Sequence, residues 1–190
     1  MGKGRLTQRQ PGKVRIIGGK WRGRRLPVPD CAGLRPTPDR VRETLFNWLQ
    51  PLVNGAVCLD LYAGTGILGL EAISRGAAAA VLVEADPLLA GHIRRSIALL
   101  GAGREVHVEE LEARAWLRRS RAQFDLVFLD PPFGQGLVER SLGLLRAQHA
   151  LRPGARIYVE AEPGLQAPED FRVVRHGRAG KVQFLLGELL

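Results

Sequence analysis

Residues 59–66 read LDLYAGTG. An apolar strand runs into Leu61, Gly64 and Gly66 follow, and a helix opens near Ile67. This is the strand–turn–helix junction of an α/β sheet. Ligands of such sheets collect at the carboxyl ends of the strands. The two glycines let the backbone turn sharply and approach a ligand closely. Outward from this junction the pattern alternates. Strands are expected at 57–61, 80–84, 105–108, 125–129 and 155–160, with helices at about 67–76, 87–100, 111–121 and 135–149. Alternation with short connections predicts a Rossmann-like, doubly wound, mostly parallel sheet with helices on both faces. Two more strands, about 171–176 and 182–188, are joined only by residues 177–181. That is too short for a crossover helix, so the last strand is expected to run antiparallel.

Upstream of the sheet, residues 1–13 read as a disordered basic arm, polar and without periodicity. Residues 14–17 (VRII) form a strand, Gly18-Gly19 a turn, and Trp21 to Pro27 a returning strand, a small N-terminal β-hairpin within 14–36. The domain proper is expected at 37–190. Thr37 is expected to cap its first helix, with Pro38 at the first position and Pro51 as the stop. Val41, Leu45, Trp48 and Leu49 share one face of that helix. Trp48 and Trp116 read as core.

Charge is distributed unevenly. Residues 1–40 hold eleven basic side chains against Asp30 and Asp39, whereas residues 41–190 hold seventeen of each sign. A neutral body with a cationic N-terminal part fits a polyanionic partner, because clustered Lys and Arg displace counterions from phosphates. Arg15, Lys20, Trp21, Arg22, Arg24, Arg25, Arg35 and Arg40 are the candidate RNA contacts. The hairpin is expected to act as a phosphate clamp, and removal of residues 1–26 to leave a folded domain. Cys31 and Cys58 form no CxxC pair, and the four histidines have no metal spacing, so no metal is expected. No apolar run reaches the ~18 residues of a membrane helix, and a secretory signal is lacking. A cytoplasmic protein, a monomer without membrane contact, is expected.

Gly64 to Gly69 also satisfies GxGxxG, which alone is a weak sign of dinucleotide binding. Glu84, ending the second strand of the sheet, suits a ribose hydroxyl of either nicotinamide dinucleotide or S-adenosylmethionine. Asp60 separates the two. A carboxylate beside the loop disfavours a pyrophosphate and suits the cationic sulfonium and ammonium of S-adenosylmethionine. Binding of that cofactor is expected to be insensitive to pH near neutrality.

Residues 125–133 read DLVFLDPPF. A buried strand ends in Asp130-Pro131-Pro132-Phe133, and the prolines stiffen the chain and remove two backbone donors. An amine on an aromatic base is a poor nucleophile because its lone pair is delocalised into the ring. A site that accepts hydrogen bonds from both N–H groups holds that nitrogen in line with a methyl donor. Asp130 and the Pro131 carbonyl are the natural acceptors, and Phe133 can stack on a flipped base.

LDLYAGTG followed by DPPF resembles the class I methyltransferases that act on exocyclic amines. RIIGGKWRGRRLPVP at 15–29 and GLRPTPDRVRETLFNWL at 33–49 narrow this further. Together they resemble the bacterial 16S ribosomal RNA (guanine-N2)-methyltransferase family, over essentially residues 14–190. The resemblance implies a seven-stranded sheet and S-adenosylmethionine as cofactor. It implies transfer of one methyl to a guanine N2 in ribosomal RNA, presented on the small ribosomal subunit or its assembly intermediate. Carried over by position, Asp60, Tyr62, Gly64 and Gly66 form the methionine-side loop, Glu84 binds the ribose with Asp86 nearby, and Asp130, Pro131, Pro132 and Phe133 are catalytic. Glu112 and Ala113 face adenine, with Glu109 and Glu110 as alternative registers. Arg35, Pro36, Thr37, Arg40 and Arg42 fall in a lid over the site. An adenine-N6 or protein-glutamine methyltransferase, or a non-catalytic RNA-binding assembly factor, remains the competing reading.

Overall fold

A computed structural model describes residues 12–31, 34, 36–162, 164, 166–180 and 182–190. Most of the basic arm, and Arg35, therefore lie outside the described residues. Two short strands, β1 (Gly12–Arg15) and β2 (Arg25–Val28), pair antiparallel as a separate hairpin. Helix α1 (Asp39–Val53) leads into β3 (Val57–Asp60). Then come α2 (Ile67–Ser74), β4 (Ala79–Glu84), α3 (Pro87–Leu100), β5 (Val106–Glu110), α4 (Ala113–Arg119), β6 (Phe124–Leu129), α5 (Leu137–Ala147), β7 (Leu151–Ala161), β8 (Phe171–Ala179) and β9 (Val182–Leu189). Among the described residues β3 to β9 form one seven-stranded sheet in the order β5-β4-β3-β6-β7-β9-β8. Pairing is parallel from β5 to β7, and β9 runs antiparallel to both β7 and β8. The order reverses between β3 and β6, which opens a crevice at their carboxyl ends.

Alternate residues of each central strand serve opposite faces, as the pleat requires. Cys58, Leu126, Phe128 and Tyr158 join the layer under α1, α2 and α3, whereas Leu59, Val127, Leu129 and Val159 join the layer under α4 and α5. Trp48 packs on the first layer, 5.5 Å from the Phe184 ring, and Trp116 lies in the second, so both are core as expected.

The first helix departs from expectation at both ends. Its N-cap is Pro38, with no side-chain cap bond; Thr37 does not cap it. Pro51 does not stop it. The helix runs to Val53, because the one backbone bond that proline removes falls in the last turn and Leu49 and Val53 are both buried there.

The hairpin is part of the core. Val14, Ile16, Leu26 and Val28 are buried in the same layer as α1 and α2. Its connection is longer than a two-glycine turn and holds one turn of 3-10 helix, Gly19–Trp21. Gly19, at φ 76°, is pressed so closely on α2 that a Cβ there would stand 1.7 Å from the Ser74 carbonyl oxygen. Glu71 of α2, fully buried, accepts from the backbone N–H of Ile17 and of Gly18 at 2.8 Å each. The same carboxylate pairs with the guanidinium of fully buried Arg42 at 3.1 Å and with Arg75 at 2.8 Å. A hairpin joined by buried apolar contacts and by Glu71 is not a removable tail, and removal of residues 1–26 would open the core.

Candidate active site

The carboxyl ends of β3, β6 and β7 meet at the crevice. Cys58, Phe128 and Tyr158 all point into the layer under α1 and α2. A strand repeats its facing every second residue, so Asp60, Asp130 and Glu160 project on that same side. Register places Asp60 opposite Phe128, and Phe128 opposite Tyr158. Three carboxyls therefore gather at one end of three adjacent strands.

Asp60 is buried. Its Oδ2 accepts from the Gly69 N–H in the first turn of α2 at 3.1 Å, and its Oδ1 has no partner among the described residues. Burial pushes its pKa up to about 7, the Gly69 bond opposes this, and the charges of Glu84 and Glu160 add to it. Loss of solvation likewise holds Asp130 well above the ordinary carboxylate range, with Glu160 and then Asp60 contributing. Glu160 is raised by burial, while hydrogen bonds from Tyr158 and Thr37 oppose the shift. The Tyr158 hydroxyl donates to Glu160 Oε1 at 2.8 Å. Thr37, buried in the segment before α1, lies near both carboxyls and opposes the rise of each pKa.

The glycine loop lies beside this cluster. Gly64 and Gly66 adopt φ 54° and 75°, a region that side chains disfavour. A Cβ on Gly66 would press on Leu82 and Ile93, so the loop is held close to the sheet. Glu84 fixes the loop, accepting from the Gly64 N–H at 2.7 Å and from the Asp86 N–H at 2.8 Å. A carboxylate has about four acceptor positions, so Glu84 retains capacity for ribose hydroxyls. The Tyr62 hydroxyl is 2.8 Å from Ser141 Oγ, tying the loop to α5. Asp86 caps α3, accepting from Leu88 N–H at 2.7 Å. Glu112 caps α4 by accepting from Ala115 N–H at 3.0 Å, and buried Ala113 is that helix's first residue. Glu110 is engaged by Arg94 at 2.7 Å and Glu109 lies 3.2 Å from His107, whereas Glu112 is within electrostatic reach of Tyr62. The methionine-side group has a fit here: a buried, unpartnered carboxylate oxygen beside a side-chain-free loop is what a ligand ammonium would engage.

Pro131 is buried, Pro132 exposed, and Phe133 is 45% exposed at the rim. An exposed aromatic beside a crevice is available for stacking.

The hairpin candidates do not converge on this crevice; Arg40, in the first turn of α1 just after Thr37, stands closer to it. Lys20 pairs with Glu105, which precedes β5, and Trp21 donates its backbone N–H to Ser74 Oγ at the end of α2. The hairpin turn therefore stands at the amino ends of the strands, opposite Asp130. Trp21 is half-buried on the core with Lys20 over its ring at 4.5 Å. Arg15 pairs with Asp39 at 3.1 Å. Arg22, Arg24, Arg25 and Arg40 are exposed, with no ion pair among the described residues. Arg42 is no part of a lid: burial lowers its pKa, Glu71 and Asp39 oppose that, and it is spent on holding α1, α2 and the hairpin together. Sequence reasoning missed Glu160, Glu71 and the hydroxyl role of Thr37. Glu160 carried one signal, an acid closing the apolar strand IYVEA.

A family model described as Conserved hypothetical protein 95 matches residues 14–188. Ribosomal RNA small subunit methyltransferase D of Escherichia coli (strain K12) is 48% identical over 178 residues, which cover 92% of this chain and 89% of that protein. The chain belongs to this methyltransferase family. The Haemophilus influenzae protein of the same name is 42% identical over 185 residues, covering 95% of this chain and 96% of that protein. The solved structure of yhhF from Escherichia coli superposes with a TM-score of 0.86 at 46% identity, covering 94% of this chain and 98% of that one. A SAM-dependent methyltransferase from Agrobacterium tumefaciens, 17% identical, shares the fold with a TM-score of 0.70, covering 97% of this chain and 72% of that one. The resemblance read from the sequence and the mostly parallel sheet are both correct.

Proposed function

We propose that this chain transfers a methyl group from S-adenosylmethionine to the exocyclic N2 amine of a guanine in small-subunit ribosomal RNA. The observation that carries the reading is the placement of Asp130, at the head of DPPF, on the same side of the sheet as Asp60 and next to the glycine loop. S-adenosylmethionine, when bound, supplies an electrophilic methyl on its sulfonium. Asp60 offers its open oxygen to the ligand ammonium, and Glu84 offers its remaining acceptor capacity to the ribose. Asp130 in its ionised form and the Pro131 carbonyl accept from the two N–H groups of the amine. This fixes the nitrogen in line with the methyl group and opposes delocalisation of its lone pair. As the C–N bond forms and the C–S bond breaks, the nitrogen gains positive charge and gives a proton to Asp130. Phe133 stacks on the extruded base and offsets its lost stacking in the RNA. The names of the curated relatives support ribosomal RNA as substrate, and the exposed Arg22, Arg24 and Arg25 support a remote phosphate contact on a substrate large enough to span the molecule.

Asp130→Ala tests the assignment. It is expected to leave S-adenosylmethionine affinity in calorimetry unchanged while cutting label transfer to small-subunit particles by about 100-fold or more, the loss typical of a missing transition-state acceptor. Undiminished transfer by Asp130→Ala would remove this residue from the chemistry.

A further inference from the structure

We infer that Glu160 selects guanine, by accepting the ring N1–H of a base whose exocyclic amine is held by Asp130; this rests on the guanine reading above. Glu160 ends the apolar part of β7 on the same side of the sheet as Asp130, and the register of Leu129 with Val159 sets the two carboxyls side by side on adjacent strands. Glu160 is 4% exposed, and its Oε1 already accepts from Tyr158. A carboxyl so buried, fixed by a hydroxyl on its own strand, is held in place at the crevice. Asp60 Oδ1 on the same side, buried and without a partner among the described residues, marks the adjoining cofactor position, beside which the amine to be methylated must lie.

The chemistry then distinguishes bases. Guanine presents two adjacent donors on one edge, the ring N1–H and the N2 amine. A pair of adjacent carboxyls presents only acceptors once ionised, and so matches that edge. Adenine places a lone pair at N1 beside its amine, and cytosine places one at N3. Either would set an acceptor against Glu160, leaving a buried charge unpaired. Asp130 and the Pro131 carbonyl serve any exocyclic amine. Glu160 adds the second contact that an amine alone cannot supply.

The test uses small-subunit particles reconstituted with either guanine or 2-aminopurine at the mapped target position. 2-Aminopurine keeps the 2-amine but carries a lone pair at N1. The wild-type chain is expected to turn over guanine in preference by roughly 10–100-fold, the range for a hydrogen bond to a charged group. Glu160→Gln is expected to lose guanine turnover and narrow that preference about tenfold or more, because its amide N–H can face the N1 lone pair. Glu160→Asp keeps the charge and is expected to keep the preference at a lower rate. Unchanged S-adenosylmethionine affinity in each variant reports an intact site. Should Glu160→Gln lose that affinity, the wild-type preference and Glu160→Asp decide. A wild-type chain without preference overturns the inference, as does Glu160→Gln or Glu160→Asp behaving oppositely to expectation. Label entering adenine or protein instead of guanine overturns the guanine reading itself, and is distinguishable because it appears before any analogue is used.

Discussion

Asp60 illustrates how a single buried carboxyl links folding to ligand binding. Its pKa stands at about 7 against an ordinary 3.8. Between those values the folded chain keeps a proton that the unfolded chain has released. Stability from this group therefore falls as pH rises from about 4 to about 7 and is flat above. A cationic ligand needs the ionised form. Affinity for S-adenosylmethionine is thus expected to weaken as pH drops through about 7, approaching tenfold per unit below it, and to level off above. This replaces the pH-insensitive binding expected from sequence; calorimetry from pH 6 to pH 8.5 checks it, and a flat profile would contradict it. Asp60→Asn keeps an acceptor for the Gly69 N–H and removes the cost of a buried charge. It is expected to raise Tm at pH 8 while weakening cofactor binding at least tenfold, the loss of one charge-assisted contact. The residues legible in the sequence were those whose meaning is local. Gly64, Gly66 and the run Asp130 to Phe133 follow from neighbours along the chain. Glu160 and Thr37 acquire their meaning from residues of other elements, Asp60 and Asp130, which only the fold brings beside them and no local pattern encodes.

At the level of elements, the hairpin and α2 form one unit around Glu71. Glu71→Ala would leave buried Arg42 with only the half-exposed Asp39 as a carboxylate partner, and two backbone N–H groups unpaired. Breaking a buried pair in this way costs about 3–5 kcal/mol. The expected readout is a lower urea midpoint with an unchanged slope; a loss below about 1 kcal/mol would show that the pair behaves like a surface one. Gly19→Ala forces the turn away from the Ser74 carbonyl and is expected to destabilise in the same assay. The strand and helix succession was legible because alternating and helical periodicities are strong in this chain. The helix start at Asp39 and the continuation past Pro51 were not. They depend on Thr37 and Val53 both being buried, with no side-chain cap at the helix start. The attachment of the hairpin was equally hidden, since VRII and the residues after it look like any edge strand until Glu71 is placed beneath them.

For the whole molecule, the charge asymmetry remains the strongest pointer to a polyanion, but its geometry is not that of a clamp around the crevice. The turn of the hairpin lies at the far end of the sheet from Asp130. Phosphate contacts there position a large substrate and carry no base information. Because deletion would disrupt the core, replacing Arg22, Arg24 and Arg25 with Gln is the appropriate probe. The variant is expected to fold and bind cofactor normally, to raise KM for small-subunit particles, and to flatten its salt dependence by roughly two log–log units if all three touch phosphate. An unchanged KM with an unchanged salt response would contradict the remote contact. The most direct test of the account lies in the product. Small-subunit particles lacking the modification are incubated with the wild-type chain and isotopically labelled S-adenosylmethionine, and the RNA is then digested to nucleosides for mass spectrometry. The prediction is label in N2-methylguanosine from small-subunit RNA, and none with Asp130→Ala; label in N6-methyladenosine or in protein, or the same N2-methylguanosine yield from Asp130→Ala, would contradict it.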